Sequence, residues 1–287
     1  MAILNIDGFK LFDKGINSLA LIVESYRIEE CMSFFKERDI KEIVINRVHG
    51  YHLDNVDFLE NFPEIEFISI SEGISNMEGI YNLKKLKKLM LGGERSKIDF
   101  LNFPLLEQLI IDWSPCFLNL QSCLKLKDVS IFKYKPSSKN FKELSNIFWL
   151  EKISISQSNI ESFEGLAVFN QLHELNISYC PKLVNLGSLE ASVNSLSVLL
   201  MAKCKSVKNF DYVGKLKKLK VLAFNDCGSI STISFIKEIP DLESFSFVNT
   251  NIVDGDLSPC IGLKYVGFFD KKHYSHKYEQ VNPGLSY

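Results

Sequence analysis

The 287-residue chain is 46 % hydrophobic and 24 % charged, a balance that supplies a substantial core and excludes an intrinsically disordered segment. Its formal net charge of −2 lacks the basic excess with which nucleic-acid binders neutralise phosphates, so no direct nucleic-acid contact is expected. The longest apolar stretch, Leu19 to Val23, falls far short of the roughly 20 residues that span a bilayer, so no membrane role is expected.

The opening residues Met1 to Phe9 carry no basic n-region and no apolar run of about seven to fifteen residues, which predicts no signal peptide. Seven cysteines, an odd number without close-set pairs, suit a reducing compartment, and a cytoplasmic protein is expected. Residues 1–39 read as an N-terminal α/β cap. Asp7-Gly8 and Lys14-Gly15 are turn dipeptides between β-prone runs, Leu19 to Val23 reads as a further strand, and Ile28, Cys31, Phe34 and Phe35 fall at helical spacing.

From residue 40 onward one pattern recurs: apolar, two variable, apolar, one variable, apolar. It runs from Ile40/Ile43/Ile45 through Leu106/Leu109/Ile111 and Leu172/Leu175/Ile177 to Leu263/Val266/Phe268, in eleven copies. The 223 residues from Ile40 to Leu263 span ten steps, a mean period of about 22. The fourth and sixth motif positions lie two apart, so on a short strand both enter one core while the third, fifth and seventh point away. The second half of each unit carries apolar residues about every three positions, as in Ile74, Met77, Ile80 and Leu83 or Val207, Phe210, Val213 and Leu216, which predicts tight 3₁₀ turns. The fold class that follows is an α/β solenoid: an arc with about eleven parallel strands on the concave face and 3₁₀ or short helical turns on the convex one, over residues 40–269. Residues 270–287 are polar and aromatic and read as a C-terminal cap or tail.

Residues 40–269 thus resemble the leucine-rich repeat superfamily in its short-repeat, internalin-like class. The corners Ser158-Asn159-Ile160 and Thr250-Asn251-Ile252 match that family's turn after the strand, whereas its regular Asn at the ninth position is replaced by Cys180, Cys204 and Cys227, as in cysteine-containing repeats. A ladder of single cysteines, one per repeat, does not converge on a point as a tetrahedral metal site must, so packed thiols are expected there. The pairs His49/His52 and His273/His276 are expected to be solvated, and His173 to face water. No phosphate-binding glycine loop, nucleophile elbow or zinc-protease helix is present. With repeats and caps accounting for the chain, no catalytic function, no metal and no cofactor are expected.

The outward third, fifth and seventh positions are the expected binding face. They include Phe67, Met90, Ile110, Asp112, Phe132, Glu174, Asn176, Leu200, Asn225 and Tyr265, with Phe269, Trp113, Tyr134 and Tyr179 at or beside the strand ends. Large apolar groups in water mark interaction sites, and aromatic anchors dominate interface energetics. The expected function is a non-catalytic protein-binding module, monomeric alone and 1:1 with its partner. The chain resembles some immunity proteins of contact-dependent growth inhibition systems, which implies a stoichiometric inhibitor masking a bacterial toxin, often a nuclease. The other readings are a regulatory scaffold for a host enzyme such as a phosphatase, and a virulence or adhesion protein.

Overall fold

The computed structural model describes residues 2–15, 18–71, 73–93, 97–192 and 194–284. The chain divides into two compact units, Met1–Val129 and Ser130–Tyr287, each an α/β solenoid built on the repeat.

The first unit opens with an antiparallel hairpin, β1 (Ala2–Ile6) and β2 (Phe9–Asp13). It turns on Asp7 and Gly8, whose φ angles of 50° and 84° are the positive pair that a two-residue loop between right-twisted strands requires. β2 pairs antiparallel with β3 (Leu19–Ile22), after which the sheet is parallel. β3 pairs with β4 (Glu42–Ile45), and β5 (Phe67–Ile70), β6 (Lys88–Leu91) and β7 (Gln108–Asp112) follow in order. The register aligns Ile43, Ile68, Leu89 and Leu109, and likewise Ile45, Ile70, Leu91 and Ile111. Both rows are buried, as side chains two apart on one strand face must be.

Between β3 and β4 lies α1 (Ile28–Glu37), which turns Cys31, Met32, Phe34 and Phe35 inward and places Glu29 and Glu30 in its first turn, where the helix dipole favours negative charge. Phe34 stacks on Phe9 with ring centroids 4.3 Å apart, tying the helix to the hairpin.

β8 (Asp128–Phe132) carries the division between the units. The second unit continues with β9 (Lys152–Ser156), β10 (Glu174–Ser178), β11 (Val198–Ala202), β12 (Val221–Asn225), β13 (Ser244–Ser246) and β14 (Tyr265–Gly267), each parallel to its neighbour. Its core turns aromatic toward the end: Phe224, Phe245, Phe247 and Phe268 are buried, and Phe247 stacks on Phe268 at 5.1 Å and 9°. The short helix α2 (Tyr278–Val281) follows. Its own Tyr278 and Val281, and Tyr274 ahead of it, are buried. The Asn282 side chain accepts from the Val266 N–H at 2.8 Å and donates to the Val266 carbonyl at 2.9 Å, taking the place of another strand on β14.

Away from the sheet the repeats return through 3₁₀ turns such as Glu78–Asn82 and Asp211–Lys215, and the predicted rows Ile74, Met77, Ile80, Leu83 and Val207, Phe210, Val213, Leu216 are all buried. One regularity was not foreseen. An Asn or Asp one or two residues ahead of several of these turns accepts a backbone N–H: Asn76 from Glu78, Asp99 from Leu101, Asn140 from Lys142, Asn185 from Gly187 and Asn209 from Asp211. This is the Asx turn, which satisfies an orphan donor at the start of these helical turns.

Candidate functional site

In the first unit, Phe67, Met90, Ile110, Asp112 and Trp113 are half-buried. Met90 and Ile110 are direct register partners, with Ser69 beside Met90, so two of the predicted apolar groups lie side by side on adjacent strands about 4.8 Å apart. Trp113 packs edge-on against Phe117, centroids 5.7 Å apart at 80°. At the start of the sheet the outer face is covered: Val44 joins Ala20, Ile22 and Phe12 in a small core of its own, and Glu42 is buried in an ion pair with Lys14. The cap therefore removes the β4 positions from the binding face, because the hairpin and β3 need somewhere to bury their own apolar side.

In the second unit the fifth positions align as Ser154, Asn176, Leu200, Ala223 and Ser246, and the third positions as Lys152, Glu174, Val198, Val221, Ser244 and Tyr265. Leu200 and its neighbours Val198, Val221 and Ala223 form an apolar island. Polar side chains beside it are largely bound to one another. Asn176 donates to Ser154 at 3.2 Å and to Glu174 at 2.8 Å, Ser178 to Ser156 at 3.0 Å, and Asn225 accepts from Ser246 and from the Val248 N–H at 2.9 Å. Burial works to raise the Glu174 carboxyl's pKa, but hydrogen bonds from Lys152 and Asn176 and the Lys152 charge outweigh it and hold it below the usual glutamate value. Four aromatic side chains stand clear of this lattice: Phe132 is 44 % exposed, Tyr179 49 %, Tyr265 43 % and Phe269 55 %.

Tyr134 is a correction. It is fully buried, its hydroxyl donating to the Asn140 carbonyl at 3.0 Å, and it has no place on the binding face. Counting from Leu126 it holds the ninth position, the corner that Ser158, Cys180, Cys204, Cys227 and Thr250 hold in later repeats. All of these point inward and bond to the backbone. Ser158 donates to the Tyr134 carbonyl, Thr250 to the Phe224 carbonyl, Cys204 to Ala202 at 3.5 Å and Cys227 to Asn225 at 3.4 Å.

The residue before the corner, the eighth, is left-handed: Lys133, Gln157, Tyr179, Lys203, Asp226 and Asn249 have φ between 52° and 57°. Its N–H reaches across to the next repeat, as from Tyr179 to Ala202, Lys203 to Asn225 and Asp226 to Val248, each at 2.9 Å. The left-handed turn throws the eighth side chain outward beside the sheet, which is why Tyr179 is exposed and Tyr134 is not.

The histidines do not gather into pairs. His49 lies edge-on to Phe12, His273 meets the Ile252 carbonyl at 2.9 Å, His276 meets Ser275 at 2.8 Å, and His173 faces solvent near Glu151. Among the described residues no three metal-binding side chains come together, and no helix is long and apolar enough to cross a membrane.

Neither a protein-family model nor a curated protein sequence matches the chain. Solved structures do. The chain is similar to an internalin of Listeria monocytogenes at 17 % identity and a TM-score of 0.56, covering 88 % of this chain and 83 % of that one. It is similar to a leucine-rich repeat protein of Leptospira interrogans at 13 % identity and a TM-score of 0.46, covering 80 % and 73 %. A further likeness is to the functional domain of a second Listeria monocytogenes internalin, which includes a cysteine ladder, at 13 % identity and a TM-score of 0.39, covering 80 % and 63 %. With the first of these likenesses and the in-register rows of buried motif residues, the fold of this chain is that of the leucine-rich repeat proteins.

Proposed function

We propose that this chain is a non-catalytic protein-binding module, acting in the cytoplasm, that engages its partner through the solvent face of the parallel strands. The supporting observation is the contrast on that face: polar groups bonded to one another across the middle strands, and Phe132, Tyr265 and Phe269 exposed on or just past the strands to either side of the Leu200 island. Exposed aromatic anchors on the same face as an apolar island are the composition of interface hot spots. The finer reading is a stoichiometric inhibitor that masks a bacterial toxin, in the manner of an immunity protein. It rests on a solenoid in which no catalytic constellation was found by sequence and on the resemblance given above.

The test is capture of the partner on tagged chain from cells of its source, followed by a 1:1 titration of the captured protein's activity. Leu200→Asp and Phe132→Asp are expected to keep the circular-dichroism spectrum and lose about 2 kcal/mol or more of binding free energy. Equal retention of the partner by both variants moves the interface elsewhere. Binding without inhibition leaves a scaffold and removes the inhibitor.

A further inference from the structure

Beside the strand ends of the second unit lies an open groove of about 690 Å³, in the size range of ligand clefts, about 300–1,000 Å³. It follows from the left-handed eighth residues, which turn their side chains outward in successive repeats while the corner residues turn in. Lys135, Lys182, Lys203 and Lys205 line it, with Tyr179 and a single carboxylate, Asp226.

Several lysines of the unit meet a glutamate from a neighbouring repeat: Lys139 with Glu161 at 2.8 Å, Lys142 with Glu164 at 2.7 Å, Lys152 with Glu174 at 2.9 Å and Lys264 with Glu243 at 2.8 Å. None of the four groove lysines meets a carboxylate at ion-pair distance among the described residues. Lys203 instead sits 4.5 Å over the Tyr179 ring and donates to its hydroxyl at 2.9 Å. Four ammonium groups thus line the groove against one carboxylate, with Glu161, already paired to Lys139, also within reach of the Lys182 charge, in a chain whose formal net charge is −2.

We propose that this groove binds an acidic, extended segment of a protein partner. The assignment rests on the protein-binding reading above and names a second contact for the same partner. Charge complementarity supplies the attraction. Lys135 and Lys203 lie three repeats apart, roughly 14 Å at strand spacing, which about four residues of extended chain span. The lining also accepts hydrogen bonds. Asp226 is an acceptor, and the Asn159 side-chain oxygen is buried without a hydrogen-bond partner among the described residues. A peptide brings backbone N–H donors to such groups, whereas a phosphate backbone brings none. Single-stranded nucleic acid also stacks on successive aromatic platforms, and Tyr179, the one aromatic of the lining, is already capped by Lys203.

The experiment uses the full chain and a fluorescein-labelled decapeptide of alternating Glu and Gly, read by anisotropy across a salt series. A Gln-for-Glu peptide and a ten-nucleotide oligo-dT serve as the other probes. The acidic peptide is expected to bind at least tenfold more tightly than the Gln peptide, and to weaken as salt rises. The double variants Lys203→Glu/Lys205→Glu and Lys135→Glu/Lys182→Glu are each expected to lose tenfold or more. Lys142→Glu, away from the groove, is expected to lose nothing. No preference for the acidic peptide, equal binding by both double variants, or tighter binding of oligo-dT overturns the assignment. In the partner capture described above, a groove variant that retains the partner at the unaltered chain's yield overturns the groove contact alone and leaves the strand-face reading standing.

Discussion

Tyr134 shows how a side chain's role follows from its place in the repeat. A tyrosine two residues past a strand reads as an interface aromatic, since Tyr is enriched where one end is apolar and the other wet. The register places it in the corner, where its ring lies 6.2 Å from Phe141 and its hydroxyl reaches the Asn140 carbonyl. Burial pushes the phenol's pKa up, in keeping with a hydroxyl whose work is to donate one internal hydrogen bond. Tyr134→Phe keeps the ring and removes that bond, so urea unfolding is expected to show a loss of about 1 to 2 kcal/mol with partner binding unchanged. A binding defect without a stability change would return this residue to the interface. The mistake has a physical origin: the ninth position is defined by the direction of its side chain, and Tyr, Ser, Cys and Thr share no composition that advertises it. Nor do the eighth residues announce a left-handed backbone, since only Asp226 and Asn249 among them belong to the types that favour it.

The elements were legible wherever a period carried them. Triplets two apart on a strand, repeated about every 22 residues, leave few alternatives to stacked parallel strands, and apolar residues every three positions foretold the 3₁₀ turns. What lies between periods was not legible. The Asx residues ahead of the turns vary between Asn and Asp and drift in spacing, and the groove lysines enter the sequence as ordinary surface charges. The cap hid its role for a different reason: Val44 is an outward-facing residue by alternation, and only the three-dimensional path of the hairpin buries it. At the other end Asn282 does for β14 what a following strand would do. It is 3 % exposed and satisfies both backbone groups of Val266. Replacing it by Ala leaves a buried N–H and a buried carbonyl unpaired. Asn282→Ala is expected to cost about 2 kcal/mol and to speed hydrogen exchange at Val266 while the Leu175 and Leu199 amides keep their protection. Uniform acceleration along the strands would mean that the side chain supports the whole unit and not one edge.

Across the whole chain, titrating groups bound the pH range of stability from both sides. On the acid side stands Glu24, 3 % exposed on its side chain, which accepts from Lys10 at 2.7 Å and from the Arg27 Nε at 2.8 Å. Burial works to raise its pKa, yet the hydrogen bonds and charges of Lys10 and Arg27 prevail and hold it below the ordinary 4.5. Glu174 is depressed in the same direction. A carboxyl whose folded pKa lies below its unfolded one stabilises fully above the unfolded value, and that contribution drains away as pH falls through the folded value. On the alkaline side burial raises the thiols of Cys123 and Cys260 from 9.0 to about 12, and the Tyr51 phenol from 10.0 to about 12. Their contribution is complete below the unfolded values and is lost as pH climbs toward the folded ones. The urea midpoint is therefore expected to be level between about pH 5.5 and 8.5 and to fall on either side. Glu24→Gln should lower the plateau by about 2 kcal/mol or more, and the deficit should shrink as pH falls below about 4.5 and on through the lower value at which the native carboxyl takes up its proton. A deficit that stayed constant down to pH 3 would show that the variant suffers from lost packing, and that the ion pairs of Lys10 and Arg27 with Glu24 contribute nothing to holding the cap in place.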